Sequence, residues 1–303
     1  MSAKLLILCP GQGGQYPGMF DLAATDPAGA ALLGDLGIRG ETEWRTPALF
    51  ANRTAQPLIV AAALAMWQAL RGHAPAPALV AGYSIGELAA WSVAGALAPQ
   101  EAVALADARA ELMDRCVAAH PGQALLAVTG LPPARAAALA APCGYHPAII
   151  TGEENCILGG PAGAAGQAAS LLAGAGARVT PLPVEVASHT PFMAGAVAPF
   201  ADALRASRLH AAGTPVLSGV SAARLESREQ AVEHLSRQLS EPVLWDECMD
   251  ACAEAGITVA LELGPGAALT RMLQARHPGI ASRSVADFRS LDGIRAWLHR
   301  HCG

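Results

Sequence analysis

One five-residue stretch constrains this chain more than any other: Gly82-Tyr83-Ser84-Ile85-Gly86. It follows an apolar run at 78–82 that reads as a strand, and it opens a run at 85–94 that reads as a helix. A serine between a strand and a helix sits on a sharp turn. Small neighbours are needed there, because the backbone folds back tightly and Cβ atoms would clash. The serine oxygen then stands clear of the C-terminal edge of a sheet. The helix N-terminus favours developing negative charge, and the Ile85 N–H is a candidate oxyanion donor. The plain alternative is a glycine-flanked turn with a capping serine.

The rest of the chain fits an α/β framework. Residues 5–9 read as a buried strand that runs into Pro10-Gly11. Residues 55–70 read as a helix apolar on most faces, hence a buried one. Further helices are expected at 85–94, stopped by Gly95, and at 100–118. A late strand at 258–263 leads through Gly264-Pro265-Gly266 into a helix at 267–274. Strands alternating with helices predict an α/β fold with a parallel sheet.

The middle of the chain differs. Strands are expected at 124–129, 148–150, 156–158 and 179–186, the last as one strand or two, with helices at 132–140 and 161–174. That β-α-β-β-α-β order, within about 70 residues, is ferredoxin-like. The predicted organisation is a large α/β-hydrolase-like domain, residues 1–121 and 191–303, with an inserted ferredoxin-like α+β subdomain at 122–190. Residues 73–77 and 218–226 are expected as surface loops.

Charge and cysteine usage exclude several classes. Twenty basic against twenty-five acidic residues give −5 over 303 residues, with no basic block. That argues against a phosphate-tracking nucleic-acid surface. Lys4 is the only lysine, which excludes a P-loop lysine and argues against a pyridoxal Schiff base. Seven cysteines are scattered with no C-x-x-C, pointing to a reducing cytoplasm without a disulfide framework or zinc cage. No metal and no cofactor are expected. The longest apolar run, 57–70, is too short to span a bilayer and contains Gln68. A cytoplasmic protein is expected, with no membrane contact.

Other segments carry chemistry. Pro10-Gly11-Gln12-Gly13-Gly14-Gln15 follows the first strand, but Tyr16 falls where a dinucleotide fingerprint needs its third glycine. Such a loop can instead offer a backbone N–H to an oxyanion, here from Gln12, or it can be a simple tight turn. A nucleophilic serine needs a base. Of nine histidines, His189 has the most suggestive setting, in Val186-Ala187-Ser188-His189-Thr190-Pro191 where the small subdomain hands back to the large one. Arg109 lies in a helix with few other charges. It either forks onto a substrate carboxylate or sits at the surface beside Asp107 or Glu111, and the pattern alone favours the surface. Glu262-Leu263-Gly264-Pro265-Gly266 reads as a structural turn at the same sheet edge.

Together these segments resemble the malonyl-CoA:acyl carrier protein transacylase family, from end to end. The resemblance rests on the P-G-Q-G-x-Q loop at Pro10, the G-H-S-x-G-E elbow at Gly82 and the R-x-x-x-M pair Arg109 and Met113. It rests also on the strand Asn155-Cys156-Ile157-Leu158-Gly159-Gly160, one residue shorter than the family's, and on Ser188-His189. The Q-L-x-x-P-V-x-W segment from Gln238 and E-x-G-P-G from Glu262 complete it. Within the family, 49–59 and 82–91 are similar to the epsilon subunit of bacterial malonate decarboxylase.

The resemblance implies roles. Ser84 would be the acylated nucleophile and His189 its general base, steadied by the main-chain carbonyl of Gln238, a dyad rather than a triad. The Gln12 and Ile85 amides would form the oxyanion hole. Arg109 would pair with the malonyl carboxylate, beside Met113. The implied partners are malonyl-CoA, an acyl carrier protein with a phosphoribosyl-dephospho-CoA arm, and other malonate decarboxylase subunits. The alternative branch is fatty-acid synthesis. Tyr83 replaces the usual elbow histidine, Gly14 a usual serine, and Ala110 a common glycine; none removes a catalytic group. Ile85 and Arg109 favour malonyl, while Val186-Ala187-Ser188-His189 faintly echoes methylmalonyl-selecting modules. A serine esterase or thioesterase, or a non-catalytic docking subunit, remains the competing class.

Overall fold

The computed structural model describes residues 3–38 and 47–303. The chain begins with β1 (Leu5–Cys9), then α1 (Asp21–Ala24), α2 (Pro27–Asp35) and α3 (Asn52–Leu70). Next come β2 (Leu79–Gly82), α4 (Gly86–Val93) and α5 (Pro99–Ala119). The middle holds β3 (Gln123–Thr129), α6 (Pro133–Ala140), β4 (His146–Gly152), β5 (Asn155–Pro161), α7 (Ala165–Gly174) and β6 (Arg178–Pro181). The chain then runs through α8 (Ala194–Ala206), β7 (Val216–Leu217), β8 (Arg224–Leu225), α9 (Arg228–Arg237) and β9 (Val243–Leu244). It ends with α10 (Trp245–Glu254), β10 (Val259–Glu262), α11 (Ala268–Arg276), β11 (Ala281–Ser284) and α12 (Leu291–Cys302).

Two sheets organise these elements. The first has the order β11-β10-β1-β2-β7-β8 and is parallel except for the β7–β8 pair. Its central strand, β1, is buried along its whole length, as expected of a parallel sheet covered on both faces. Alternation sends Leu5, Ile7 and Cys9 into one core and Leu6 and Leu8 into another. The first core holds α3, α4 and α5; the second is closed by α10 and α11. The other sheet has the order β6-β3-β5-β4-β9, antiparallel through its first four strands, which is the ferredoxin-like pattern. The mixed α/β architecture is the one expected from the sequence.

Local chemistry explains where helices begin and end. Asp26 caps α2 by accepting from the Ala28 N–H, with Pro27 in the first turn. Ser227 and Gln230 form a reciprocal capping box on α9. Gly95, at φ +83°, takes the left-handed position just after α4. The buried helix α3 starts at Asn52, ahead of the expected 55, and carries Pro57 inside it.

Three expectations need correction. The strand expected at 179–186 stops at Pro181. Pro181 and Pro183 lack N–H donors, and Val184 turns back to bond the Leu182 carbonyl. The helix expected from 161 begins at Ala165, because Pro161 still pairs with Gln123 in the sheet. The segment at 218–226 is not a surface loop throughout. Ser218 is fully buried, and Arg224–Leu225 returns as β8 against β7. One pairing was not anticipated at all: β9 joins the small sheet from far along the chain, parallel to β4, and two residues cannot announce this by periodicity.

Candidate active site

The turn after β2 is built on close approach. A Cβ on Gly82 would fall on the backbone of Gly86 and Glu87, and one on Gly86 would fall on the Cys9 and Pro10 carbonyls. Only glycine lets α4 start directly beneath the end of β1. Ser84 takes φ +55° at the turn and is half-buried. His189 is fully buried and also has positive φ, +62°. Side chains with a Cβ rarely hold this conformation, and such strain collects at functional sites.

These two strained residues meet. Ser84 Oγ lies 2.7 Å from His189 Nε2. The other ring nitrogen, Nδ1, lies 2.5 Å from the Gln238 main-chain carbonyl. A carbonyl only accepts, so Nδ1 carries the proton and Nε2 is the free base that accepts from Ser84. The His189 backbone is itself held, its N–H donating to the Leu239 carbonyl at 2.9 Å. Burial, then the nearby Arg109 charge, push the imidazole down to about 3, against the pull of the Gln238 carbonyl. The ring is therefore neutral and ready to accept a proton at neutral pH.

The glycine-rich loop lies against the elbow. A Cβ on Gly11 would come within 2.8 Å of the Tyr83 carbonyl, and one on Gly14 would touch Pro265. Gly13 N–H is held by the buried Gln15 side chain at 2.7 Å. Among the described residues, the Gln12 and Ile85 amides donate to no protein acceptor. Ile85 is buried at the start of α4, and the Gln12 side chain is exposed.

Arg109 faces inward, which corrects the surface alternative. It is 2% exposed, on the buried stripe of α5 with Leu105, Ala106, Ala110 and Met113. Asp107 and Glu111 lie on the opposite face and pair with Arg53 at 3.1 and 3.0 Å. Every acceptor of Arg109 is neutral. Nη1 donates to Gln56 Oε1 at 2.7 Å and to Met113 Sδ at 3.3 Å, and Nη2 donates to Gln238 Oε1 at 3.2 Å. Burial lowers the guanidinium to about 10, partly offset by Glu87, so it stays charged at neutral pH.

Three features escaped the sequence reading. Gln56, wholly buried in α3, braces Arg109 and in turn donates to Asn52 Oδ1. An amide at the head of the apolar run of α3 was the available signal. The side chain of Gln238 also bonds Arg109, besides its carbonyl holding His189. Glu87 is fully buried under the elbow. Its position in the first turn of a helix reads as an ordinary partner of the helix dipole. Glu262, by contrast, is structural: both its oxygens accept from the first turn of α11, at Leu269 and Thr270.

Among the described residues there is no metal-binding group of three or more His, Cys, Asp or Glu, and no helix long and apolar enough to cross a membrane. What the cluster can do is acyl transfer: an oxygen nucleophile meets a neutral base near a buried cation, and the turns after β1 and β2 carry two amides that donate to no protein acceptor among the described residues.

Comparison with known proteins agrees with that chemistry. A family model described as "Acyl transferase domain" matches residues 7–287. The malonyl CoA-acyl carrier protein transacylase of Mycobacterium tuberculosis is 33% identical over 96% of this chain and 99% of its own length. A crystal structure of MCAT from Mycobacterium tuberculosis superposes with a TM-score of 0.88 at 30% identity, over 99% of this chain and 100% of that one. A holo complex named PlMCAT:AntF, a type II PKS acyl-carrier protein with its malonyl-transacylase, gives a TM-score of 0.86 at 27% identity, over 99% of both chains.

Proposed function

This chain belongs to the acyl transferase family, and on that premise we propose that it moves a malonyl group from malonyl-CoA to the thiol of an acyl carrier protein. The observation that carries the reading is the buried Arg109, uncharged in all its partners, beside a Ser84 oxygen 2.7 Å from a neutral imidazole. A serine hydrolase needs the second feature but gains nothing from the first. The relatives' names, as malonyl CoA-acyl carrier protein transacylases, support it.

The proposed steps are two acyl transfers. Ser84 Oγ attacks the thioester carbonyl while its proton passes to His189 Nε2. The oxyanion is met by the Gln12 and Ile85 amides, aided by the N-terminus of α4. The intermediate collapses, the C–S bond breaks, and the CoA thiolate takes the proton from His189. The carrier thiol then attacks the Ser84 ester, giving its proton to the same nitrogen. Ser84 leaves and recovers that proton. The Gln238 carbonyl holds the imidazole in one tautomer and steadies the imidazolium, the task a carboxylate performs in a triad.

Arg109 selects the acyl group, with Met113 at its side. A malonyl carboxylate would fork onto the guanidinium. An acetyl group leaves that buried charge unmatched, a penalty of about 2–5 kcal/mol. Residues 122–190 are proposed as the small subdomain, and 1–121 with 191–303 as the large one that carries Ser84. The proposed setting is cytoplasmic, in keeping with cysteines that are all free.

The acceptor is proposed to be the carrier subunit of a malonate decarboxylase, on the likeness of 49–59 and 82–91 to its epsilon subunit. The alternative acceptor, the acyl carrier protein of fatty-acid synthesis, is favoured by the relatives' names. Intact mass after malonyl-CoA, for wild type and Ser84→Ala, followed by each carrier, tests both levels. A malonyl adduct on wild type alone, discharged onto a carrier, supports the transferase, and the carrier accepted decides the branch. An adduct lost to water with carriers ignored makes the protein a hydrolase. No adduct leaves a docking subunit.

A further inference from the structure

Glu87 takes no part in the transfer steps, yet it lies fully buried beside them. Its Oε2 accepts from the Gln238 side-chain amide at 2.5 Å and from the Gly219 N–H at 3.0 Å. Its Oε1 meets no hydrogen-bond partner among the described residues. A carboxyl buried near a cation would ordinarily pair with it directly. Here the Gln238 amide stands between them. Gln238 Oε1 accepts from Arg109 at 3.2 Å, while Nε2 donates both to Glu87 and to the Ser84 carbonyl at 3.2 Å.

We propose that Glu87 is a positioning residue for substrate recognition: it locks the Gln238 amide so that the oxygen, not the NH2, meets Arg109. The guanidinium is thereby aimed without being neutralised. The inference rests on the malonyl reading above.

The argument is one of donors and acceptors. An amide can sit in two orientations that differ only by exchanging O and NH2. Turned over, it would set NH2 against the Arg109 N–H groups, donor against donor. It would also set its oxygen against the Ser84 carbonyl and Glu87 Oε2, acceptor against acceptor. The Ser84 carbonyl alone supplies one longer bond; Glu87 supplies the second and shorter one. A direct Glu87–Arg109 ion pair would satisfy the cation within the protein and leave little for a substrate carboxylate to gain. A neutral amide in between orients the arginine and keeps its charge on offer. Burial pushes the Glu87 carboxyl up to about 7, against the opposing pull of Gly219, Gln238 and Arg109, but both donors meet Oε2, so a proton taken up sits on the unpartnered Oε1 and Oε2 remains an acceptor.

The test uses the full chain with Glu87→Met, which keeps volume but removes the acceptor, and Glu87→Gln, whose amide oxygen can accept the same two bonds. Steady-state kcat and KM for malonyl-CoA are measured with a carrier acceptor. In parallel, a carboxylate-free organophosphate probe reads the reactivity of Ser84. The expected result for Glu87→Met is a KM raised about tenfold, the loss of one buried hydrogen bond near a charge. Its kcat and its probe labelling stay within about threefold, and Glu87→Gln recovers most of the KM. Should Glu87→Met not fold, Glu87→Asp, whose shorter reach breaks the same bond, must raise KM in its place. Unchanged KM in Glu87→Met overturns the proposal. So does an equal loss of turnover and probe labelling that Glu87→Gln does not rescue, which would mark a purely structural residue. Wild type that is never malonylated overturns the malonyl reading and this inference with it, whereas malonylated wild type with indifferent variants overturns this inference alone.

Discussion

Among the described residues, two serine–histidine contacts have nearly equal length. Ser84 Oγ lies 2.7 Å from His189 Nε2, and Ser218 Oγ lies 2.8 Å from His234 Nδ1. By distance alone they are the same feature. Their surroundings separate them. Ser84 and His189 both sit at positive φ, whereas neither Ser218 nor His234 does. Ser84 stands half-buried at the mouth of a turn, while Ser218 is fully buried and already accepts from the Val220 N–H at 3.3 Å. His189 uses its second nitrogen on the Gln238 carbonyl and has a buried guanidinium close by. His234 has exposed Glu233 and the Arg237–Glu241 ion pair as neighbours. The first pair keeps its serine partly exposed; the second is a tie between the β7–β8 turn and α9. A hydrogen-bond length identifies no chemistry without the groups around it.

The largest effect that would break this contrast is loss of the hydroxyl. Ser84→Ala is expected to abolish the acyl-enzyme and lower transfer by about 10⁴-fold or more. Ser218→Ala should leave kcat/KM within about threefold, and a drop comparable to that of Ser84→Ala would erase the distinction. Next in size is Arg109→Met. Malonyl over acetyl preference, measured as a ratio of acylation rates, should collapse by about 30- to 4,000-fold, the equivalent of 2–5 kcal/mol for an unmatched buried charge. Retained preference would show that another group reads the carboxylate.

Acid sharpens the contrast further. With His189 held near 3, the kcat/KM profile of wild type should stay flat from pH 8 down to pH 5. A falling limb near 6.5, the ordinary histidine value, would show an unburied base. Stability carries the same information with opposed signs. Folded His189 binds fewer protons than the unfolded chain between about 3 and 6.5, so its contribution to stability rises with pH across that window. Folded Glu87 binds more protons between 4.5 and about 7, so its contribution falls as pH rises. The Tm of Glu87→Gln relative to wild type should therefore increase from pH 4.5 to pH 7. A constant difference would mean that Glu87 ionises freely. The smallest effect belongs to the structural tie: His234→Ala should cost about 1 kcal/mol of stability in denaturant unfolding, with little change in turnover.

The parts of this site that could be read from the sequence share one property: their signal is local. Gly82 and Gly86 flank Ser84 because the turn needs them, and the turn is five residues long. His189 and Gln238 entered through family motifs, as did Met113. The inward direction of Arg109 was not legible, since charges lie on either side of it along α5 and only Arg53, from α3, reveals which face is outer. Glu87 and Gln56 were silent because their partners lie 151 and 53 positions away. The parallel strands β1, β2 and β10 were plain from their apolar runs, whereas β11, with the sequence Ala281-Ser282-Arg283-Ser284, was not. The two-residue strands β7, β8 and β9 were not, because pairing with a neighbour, not side-chain pattern, defines them. The prolines at 181 and 183 were visible but were outweighed by the apolar residues around them.

The strand β9 also decides how freely the molecule can be taken apart. Its Val243 and Leu244 lie five and six positions after Gln238, and they close the outer edge of the small sheet beside β4. The small sheet is thus sewn to the rest of the chain by a stitch from well beyond its other four strands, cut from the same segment that steadies His189. Excised by itself, the piece would present β4 as a bare edge, a template for pairing with its own kind. Swapping it into a relative would succeed only if that relative supplied a matching stitch. A change in chain length between Gln238 and Val243 would therefore disturb the imidazole's support and the edge of the small sheet at one stroke.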